Sequence, residues 1–312
     1  MGLFVLLPLV LPLTSWPVAR LAERRLHPRT ATLLLAAVGA VLAACSTLCL
    51  GLLVVVGTAQ LPGNPLPDGW SDPEVRQAVP YDEVLGQVSI PALAALLATC
   101  GATLVRHRRV HRRALLALEG VRNTSVAVLP DKAPYAFALP GTRRSRKRIV
   151  VSTGMLDALE PAERRALFAH ERAHLAARHH RLLLLARLSA NAHPFLRPLR
   201  TAVEFGVERW ADEEAAHSVG DRRLTARAVG KAALIAASGP LSGVLAFAAA
   251  GQVPRRVQAL LAPAPTTRLW RPPVTASAFA TWLAAAGAAA SALSSANAAI
   301  TLALILQAAT PL

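Results

Sequence analysis

Cysteine is scarce in this sequence of 312 residues, and none of it stands where a metal site would need it. The three cysteines, Cys45, Cys49 and Cys100, all fall inside apolar runs and lack zinc-ligand spacing with histidine. This excludes a zinc module built on cysteine ligands. We interpret all three as small buried hydrophobic residues that carry no chemistry.

Acidic residues are also few. Asp and Glu number 18 against 34 Lys and Arg, for a formal net charge of +16, and the isoelectric point is near 11.5. Yet 54% of the residues are hydrophobic and the mean hydropathy is +0.40. A soluble domain rarely combines these properties. A nucleic-acid-binding protein could be this basic, but it would not contain long uncharged runs, so we expect no direct binding of nucleic acid.

The N-terminus has no basic start, and no small-residue cleavage site precedes Arg20, which argues against a cleaved signal peptide. Four apolar runs are long enough to span a bilayer, at about residues 2–19, 31–57, 84–105 and 275–306. The predicted organisation is therefore a membrane region with three spans over residues 1–105, a globular domain over residues 106–272, and a fourth span.

The charge of the connecting loops gives the predicted orientation. The loop between the first two spans and the stretch after the third are rich in arginine, whereas the loop 61–83 is acidic, with Arg76 as its single basic residue. By the positive-inside rule, residues 106–272 lie in the cytoplasm, and the loop 61–83 and both termini lie outside. We predict a multi-pass protein of a bacterial cell membrane, with anionic lipid headgroups beside its arginines.

The segment from Phe168 to His174 reads "FAHERAH" and contains the most informative pattern of the chain. On a helix, His170 and His174 lie one turn apart on the same face, so both imidazoles can reach one metal ion. Glu171 is adjacent to the first histidine, where its carboxylate can reach a metal-bound water without being a ligand. This pattern predicts a zinc hydrolase in which Glu171 is the general base.

A second element, "ERWAD" at residues 208–212, completes the predicted site. Catalytic zinc sites of this kind have three protein ligands and an open fourth position, and Glu208 offers the third ligand. Asp212 lies one helical turn further, where it could accept a hydrogen bond from a ligand histidine and fix its tautomer. Taken alone, this pair would be ordinary helix surface.

The globular segment is predicted to contain a small sheet and many helices. Strand patterns cover residues 125–129, 135–139 and 149–153, and a helical pattern dominates from Met155 onward, with Glu160 and Glu163 at the start of the histidine helix. The apolar stretch 182–199 is too polar for a span and is predicted to pack in the domain or lie at the membrane surface. For residues 232–251 we favour two short buried helices, with a fifth span as the alternative.

Several of these runs together resemble a known family. "AFALPG", "RIVVSTGMLDAL", "AHERAH", "VERWAD" and "PRRVQALL" are similar to the BlaR/MecR-type membrane zinc peptidases, the gluzincin-type antirepressor proteases of β-lactam signalling, and more distantly to the HtpX/Ste-type proteases. The resemblance covers about residues 133–261. It implies a mainly α-helical polytopic membrane protein, with four transmembrane helices and a cytosolic α+β zincin-like domain.

The resemblance also implies roles for particular residues. His170, His174 and Glu208 would bind one Zn²⁺ per chain, and Glu171 would be the catalytic base. The strand at Tyr135, Ala136, Phe137 and Ala138 would be the edge to which a peptide substrate adds. The substrate implied is a cytosolic protein such as a winged-helix repressor. Because the sequence stops at Leu312, we expect no penicillin-sensing domain and no β-lactam sensing.

Alternatives remain open at this level. The chain could be a non-proteolytic membrane scaffold that binds a regulator, although an intact Glu171 argues against this, or a quality-control protease of HtpX type. The residue that would stabilise the oxyanion is unassigned, with His193, His217 and Tyr135 as candidates. The oligomeric state stays open.

Overall fold

The structure, a computed structural model, describes most of the chain. The described residues are 2–61, 63, 66–72, 75, 82–121, 124–142, 145–237, 252–265 and 276–310. Several predictions therefore lie partly outside them: most of the external loop 61–83, and residues 238–251 of the proposed pair of short helices.

The elements follow one another mainly as helices. The first part of the chain contains α1 (Leu7–Val10), α2 (Ser15–Arg25), α3 (Pro28–Ala59) and α4 (Asp82–Leu116). The central part contains β1 (Val126–Leu129), β2 (Ala136–Leu139), β3 (Arg148–Ser152), α5 (Thr153–Ala158), α6 (Pro161–Ala176), α7 (His179–Ala192), α8 (Arg197–Val219) and α9 (Arg222–Ala237). The last two are α10 (Val253–Leu261) and α11 (Ala276–Ala308). Short 3-10 helices cover Gly2–Val5, Leu11–Thr14, Asp68–Ser71 and Pro194–Leu196.

Three helices of the described residues are long and apolar enough to cross a membrane: α3, the part of α4 from Val84 to Leu116, and the part of α11 from Thr281 to Ala308. They correspond to the second, third and fourth predicted spans. The third predicted span is part of a longer helix, because α4 runs from Asp82 to Leu116 without a break. The predicted four-span count is not confirmed.

The predicted first span is not one helix but a series of short helical segments. Prolines explain the breaks, since each lacks the N–H that would bond the carbonyl four residues earlier. The carbonyl of Phe4, four residues before Pro8, accepts from Ser294 Oγ at 2.7 Å. The carbonyl of Pro8, four residues before Pro12, accepts from Ser46 Oγ at 2.7 Å. Serines of α11 and α3 thus replace the missing backbone donors.

This N-terminal segment runs antiparallel to α3 along nearly its whole length. Val5 packs in a cluster with Val56 near the end of α3. Ala22 packs in another cluster with Ala31 near the start of α3. The segment therefore covers the same distance along the bundle as a membrane helix does.

The sheet has three strands in the order β1-β3-β2, with β1 parallel and β2 antiparallel to β3. The three predicted strands are present within one residue of their expected ends. Ile149, Val150 and Val151 of β3 are buried, so the central strand forms part of the core. Within the described part of the chain β2 pairs on one side only, which leaves its other edge open.

The largest apolar cluster joins the membrane helices to the central domain. Leu35 and Leu42 of α3 pack with Leu199, Val203 and Val207 of α8 in a single buried cluster. The stretch 182–199, predicted as a packed or surface helix, divides into α7, a short turn and the start of α8. Near the end of α7, Asn191 Nδ2 donates to Thr103 Oγ1 of α4 at 2.7 Å.

Candidate active site

Helix α6 places His170 and His174 on one face, one turn apart. It begins at Pro161, with Glu160 and Glu163 at its start as predicted, and the N–H of Glu160 donates to the Glu163 side chain at 2.9 Å, which fixes the first turn. The Nε2 atoms of His170 and His174 lie 3.0 Å apart and point at the same position. Two nitrogens that bind one zinc ion at about 2.0–2.1 Å must lie within about 4 Å of one another, so this pair fits.

Helix α8 crosses α6 and brings Glu208 to the two histidines. Its carboxylate oxygens lie 3.5 Å from His170 Nε2 and 3.6 Å from His174 Nε2. Among the described residues, the ligand atoms of these three side chains form the group that could hold a metal ion, all within 4.8 Å of one another. Two imidazoles and a carboxylate match the donor set of catalytic zinc sites.

Each histidine also has a partner on its other ring nitrogen. Asp212, which is completely buried, lies with Oδ1 3.1 Å from His170 Nδ1, as an ion pair rather than a well-aligned hydrogen bond. His179 Nδ1 lies 3.0 Å from His174 Nδ1. Contacts of this kind fix the tautomer and orientation of a ligand histidine, here with both Nε2 atoms directed at the shared position.

Sequence reasoning did not assign a role to His179. The side chain is fully buried and its ring lies 4.6 Å from the ring of Trp210. Arg178, with φ of 54°, adopts the left-handed conformation between α6 and α7. This turn directs His179 back towards His174. The sequence shows the spacing of the two histidines, but no local pattern predicts a left-handed arginine.

Arg256 of α10 is the second residue that was missed, although "PRRVQALL" contributed to the resemblance. Its Nε and Nη2 donate to the two carboxylate oxygens of Asp212 at 2.8 and 2.7 Å. Its Nη1 lies 3.0 Å from Glu208 Oε2. One guanidinium thus contacts both acidic residues that α8 contributes to the site.

Burial and charge shift the pKa values of the site in opposite directions. Burial by itself would lower the pKa of His170, but the carboxylates of Asp212 and Glu208 raise it to about 10. Burial, together with charge on His170, lowers the pKa of His174 to about 3. Burial would raise the pKa of Glu208, but His170 and Arg256 hold it well below its usual range. A divalent cation at this position would replace the proton that the two carboxylates stabilise on His170.

Glu171 lies beside this cluster, against a cavity of about 260 Å³. Burial raises the pKa of its carboxyl group. The charge of His170 and a hydrogen bond from the backbone of Ala138 lower this pKa, but burial outweighs them. His170 and Glu208 also line the cavity, as do apolar residues of α9 such as Val229 and Ala232. The group expected to act as base therefore faces a space that a substrate could enter.

The four residues predicted to bind substrate lie along this cavity and on β2. Tyr135 and Ala136 line the cavity. The Ser152 N–H of β3 donates to the Tyr135 carbonyl at 3.0 Å, so alternate residues of β2 pair with β3. Ala136 and Ala138 direct their backbone groups to the open edge instead. Phe137 has a partly exposed side chain.

Two of the three candidates for stabilising an oxyanion lie away from this cavity. His193 Nε2 contacts the carbonyl of Leu9 in the N-terminal segment, at 3.1 Å. His217 lies in the last turn of α8. Neither lines the cavity, whereas Tyr135 does.

Comparison with known proteins gives two matches. The sequence model of Peptidase family M48 matches residues 105–199. A curated protein, "Protease HtpX homolog 2" of Methanosarcina mazei, is 30% identical over 92 residues, which cover 30% of this chain and 30% of that protein. No solved structure matches. The family match includes His170, Glu171 and His174 and ends before Glu208.

Of the two resemblances read from the sequence, the one to HtpX-type proteases is supported, and BlaR/MecR-type specificity is not confirmed. The three apolar helices and the similarity to an HtpX homolog together indicate a membrane protein. The family match includes the segment that carries His170, Glu171 and His174, so this part of the chain is similar to metallopeptidases of family M48.

Proposed function

We propose that this protein is a membrane-embedded zinc endopeptidase that cleaves peptide bonds in a cytosolic protein as a regulatory step. A dimeric winged-helix repressor is the substrate that the BlaR/MecR resemblance implies. The observation that carries the proposal is the convergence of His170, His174 and Glu208 beside a cavity that Glu171 also lines.

The residues fit a division of roles. His170, His174 and Glu208 would hold the zinc ion, which when bound lowers the pKa of water and polarises a carbonyl. Glu171 would accept a proton from the attacking water and pass it to the leaving amine. Its raised pKa suits a base that must also release the proton near neutral pH. The open edge of β2 would align the peptide beside these groups.

A second candidate function is membrane-protein quality control of HtpX type, which the match to an HtpX homolog favours. It shares the chemistry and differs in substrate. The scaffold alternative is weaker, because a purely structural metal site does not require a buried carboxylate beside an open cavity.

We further propose that the bundle has four spans and that the site faces the cytoplasm. The N-terminal segment supports the fourth span, since serines satisfy the carbonyls its prolines expose, as the interior of a bilayer requires. Trp70 Nε1 donates to Thr310 Oγ1 at 2.8 Å, which supports placing the acidic loop and the end of α11 on one side. Arg255 pairs with Glu23 of α2 at 3.1 Å, which supports placing α10 beside the basic loop.

Cysteine labelling tests this topology in a cysteine-free background. Ser71→Cys should react from outside, and Thr142→Cys and Ala264→Cys only after permeabilisation. Ser71 represents the acidic loop in this test. The nearby Gly69 is unsuitable, because a Cβ at that position would collide with the carbonyl of Ala309. External labelling at Thr142 would invert the orientation. Labelling of Thr142 and Ala264 from opposite sides would make residues 232–251 a fifth span.

The test of function is Glu171→Gln in the full-length protein. The variant should keep zinc near one ion per chain, because the three proposed ligands remain, and should lose peptide cleavage by more than about 100-fold, because the base is absent. His170→Ala should lose both metal and cleavage. Turnover of Glu171→Gln at the wild-type rate would reject the general-base role, and a metal-free wild-type protein with full activity would reject the zinc peptidase.

A further inference from the structure

Arg256 connects helix α10, late in the chain, to the centre of the site. It lies on α10, more than forty residues after Glu208 and Asp212, and its side chain is only 13% exposed. Three of its nitrogens are engaged: Nε and Nη2 with Asp212, at 2.8 and 2.7 Å, and Nη1 with Glu208, at 3.0 Å. A guanidinium suits this task, because its planar fork can hold one carboxylate with two parallel bonds while it contacts another.

The acidic residues of the site require such a partner. Glu171, Glu208 and Asp212 are three carboxylates of one small site, and among the described residues that line the cavity Arg256 is the one arginine or lysine. The guanidinium and one divalent ion together would balance the three carboxylates. The side chain of Glu208 has three rotatable bonds, and apart from Arg256 its described ion pairs are with the two histidines that would bind the metal.

We propose that Arg256 is the positioning residue of the metal site: it holds the Glu208 carboxylate in the orientation that faces both histidines, and it holds Asp212 against His170. It acts through these two residues and does not itself bind the metal. The proposal rests on the zinc site proposed above, and it gives Arg256 a role that the sequence analysis did not assign to it.

The charge of Arg256 and its positioning role predict opposite changes in zinc affinity, which makes the proposal testable. If the guanidinium acted only as a positive charge near the metal, its removal would make zinc bind more tightly. If it positions the ligands, its removal weakens zinc binding despite the gain in negative charge. Arg256→Lys separates the two further, because lysine keeps the charge but cannot hold Asp212 and Glu208 in a fork.

The matched control is the neighbouring Arg255. Its guanidinium stacks over Phe205 at 4.1 Å and pairs with Glu23 on the surface, and 56% of its side chain is exposed. Arg255→Gln removes the same charge from the same helix without touching a residue of the site. We expect it to change zinc affinity by less than about fivefold.

The experiment uses the full chain in detergent and measures the zinc dissociation constant by competition with a chelator, and the absorption spectrum of the Co²⁺-loaded protein. Arg256→Gln and Arg256→Lys should both weaken zinc binding by roughly 10–100-fold and alter the Co²⁺ spectrum, which reports ligand geometry. Cleavage by the fully loaded variants should fall mainly in kcat. Circular dichroism establishes that each variant is folded, and Arg256→Lys is the variant to rely on if Arg256→Gln does not fold.

Zinc affinity that is unchanged or tighter in folded Arg256→Gln, or full recovery by Arg256→Lys, would overturn the positioning role. A wild-type protein that binds no zinc would instead reject the proposed metal site, so the two failures are distinguishable.

Discussion

At the scale of single residues, helix α8 shows how one acidic residue among several is selected for a site. Four glutamates lie within eleven residues, and three of them have other partners in the structure. Glu204 pairs with Arg200 at 3.0 Å, Glu213 pairs with Arg222, and Glu214 accepts from Trp210 Nε1 at 3.2 Å. Glu208 faces the two histidines, because its position on α8 turns it towards α6.

Glu208→Ala should therefore weaken zinc binding by more than about 100-fold, since it removes a proposed ligand, whereas a change beyond the ligands costs about 10–100-fold. Asp212→Ala changes a residue beyond the ligands, so it should weaken zinc binding by about 10–100-fold. Glu204→Ala is the matched control on the same helix and should leave zinc affinity near that of the wild type. Equal zinc dissociation constants for Glu208→Ala and Glu204→Ala, measured by chelator competition, would remove Glu208 from the ligand set.

His179 allows a second prediction at this scale. His179→Phe keeps the ring against Trp210 but removes the nitrogen that faces His174 Nδ1, so His174 should lose its preferred tautomer. We expect zinc affinity to fall by roughly 10–100-fold. His180→Phe, a neighbour whose side chain is outside the cluster, is the control. If the two variants bind zinc equally well, the contact between His179 and His174 has no role in metal binding.

At the scale of elements, the open edge of β2 is where we propose that a peptide substrate adds as a further strand. Tyr135 bonds to Ser152 of β3, so the outward-facing backbone groups are those of Ala136 and Ala138. The Ala138 amide already bonds to Glu171. Ala136 is therefore the residue whose backbone N–H and carbonyl are best placed for an added strand.

Ala136→Pro should remove one outward N–H and leave the ladder with β3 in place, because proline is tolerated at an edge. We expect kcat/KM for a peptide to fall about fivefold to tenfold, from the loss of one hydrogen bond worth about 1 kcal/mol. Zinc affinity should not change. Ala136→Val, which keeps the N–H, serves as control. A normal kcat/KM in folded Ala136→Pro would show that substrate does not add to this edge.

At the scale of the whole molecule, helix α8, which carries Glu208, and the long apolar helix α3 share one core. Leu199, Val203 and Val207 of α8 are almost completely buried, and they pack on the first half of α3. The same helix carries Glu208 at its middle. A shift of α3 relative to α8 would therefore move a proposed zinc ligand, which gives the spans a physical route for controlling activity.

The segment 106–272 by itself should consequently not form a stable domain. Removal of α2 and α3 exposes at least three side chains, each worth about 1.5–3 kcal/mol when buried, a sum comparable with the net stability of a small domain. We expect the isolated segment to bind a hydrophobic dye and to unfold without a cooperative transition, in contrast to the full chain in detergent. A monodisperse segment with cooperative thermal unfolding would show that the shared core is dispensable.

The amino-acid sequence by itself determined the features that depend on local spacing. Apolar length was enough for α3, α4 and α11, short runs rich in apolar and β-branched residues were enough for the three strands, and the four-residue interval placed His170 and His174 on one face. The sequence also proposed Glu208 and Asp212. It did not reveal that prolines would divide the predicted first span into short helical segments. These breaks are stabilised by hydrogen bonds from serines of distant helices, which a local sequence pattern cannot show.

Only the tertiary structure decided which distant residues support the site. His179 depends on a left-handed turn at Arg178, and Arg256 depends on how α10 packs beside α8. The merging of domain and bundle into one core depends on the crossing of α3 and α8. The physical reason is common to all three. The local sequence determines on which face of a helix a side chain lies, but the contacts of that side chain depend on how helices far apart in the chain pack together.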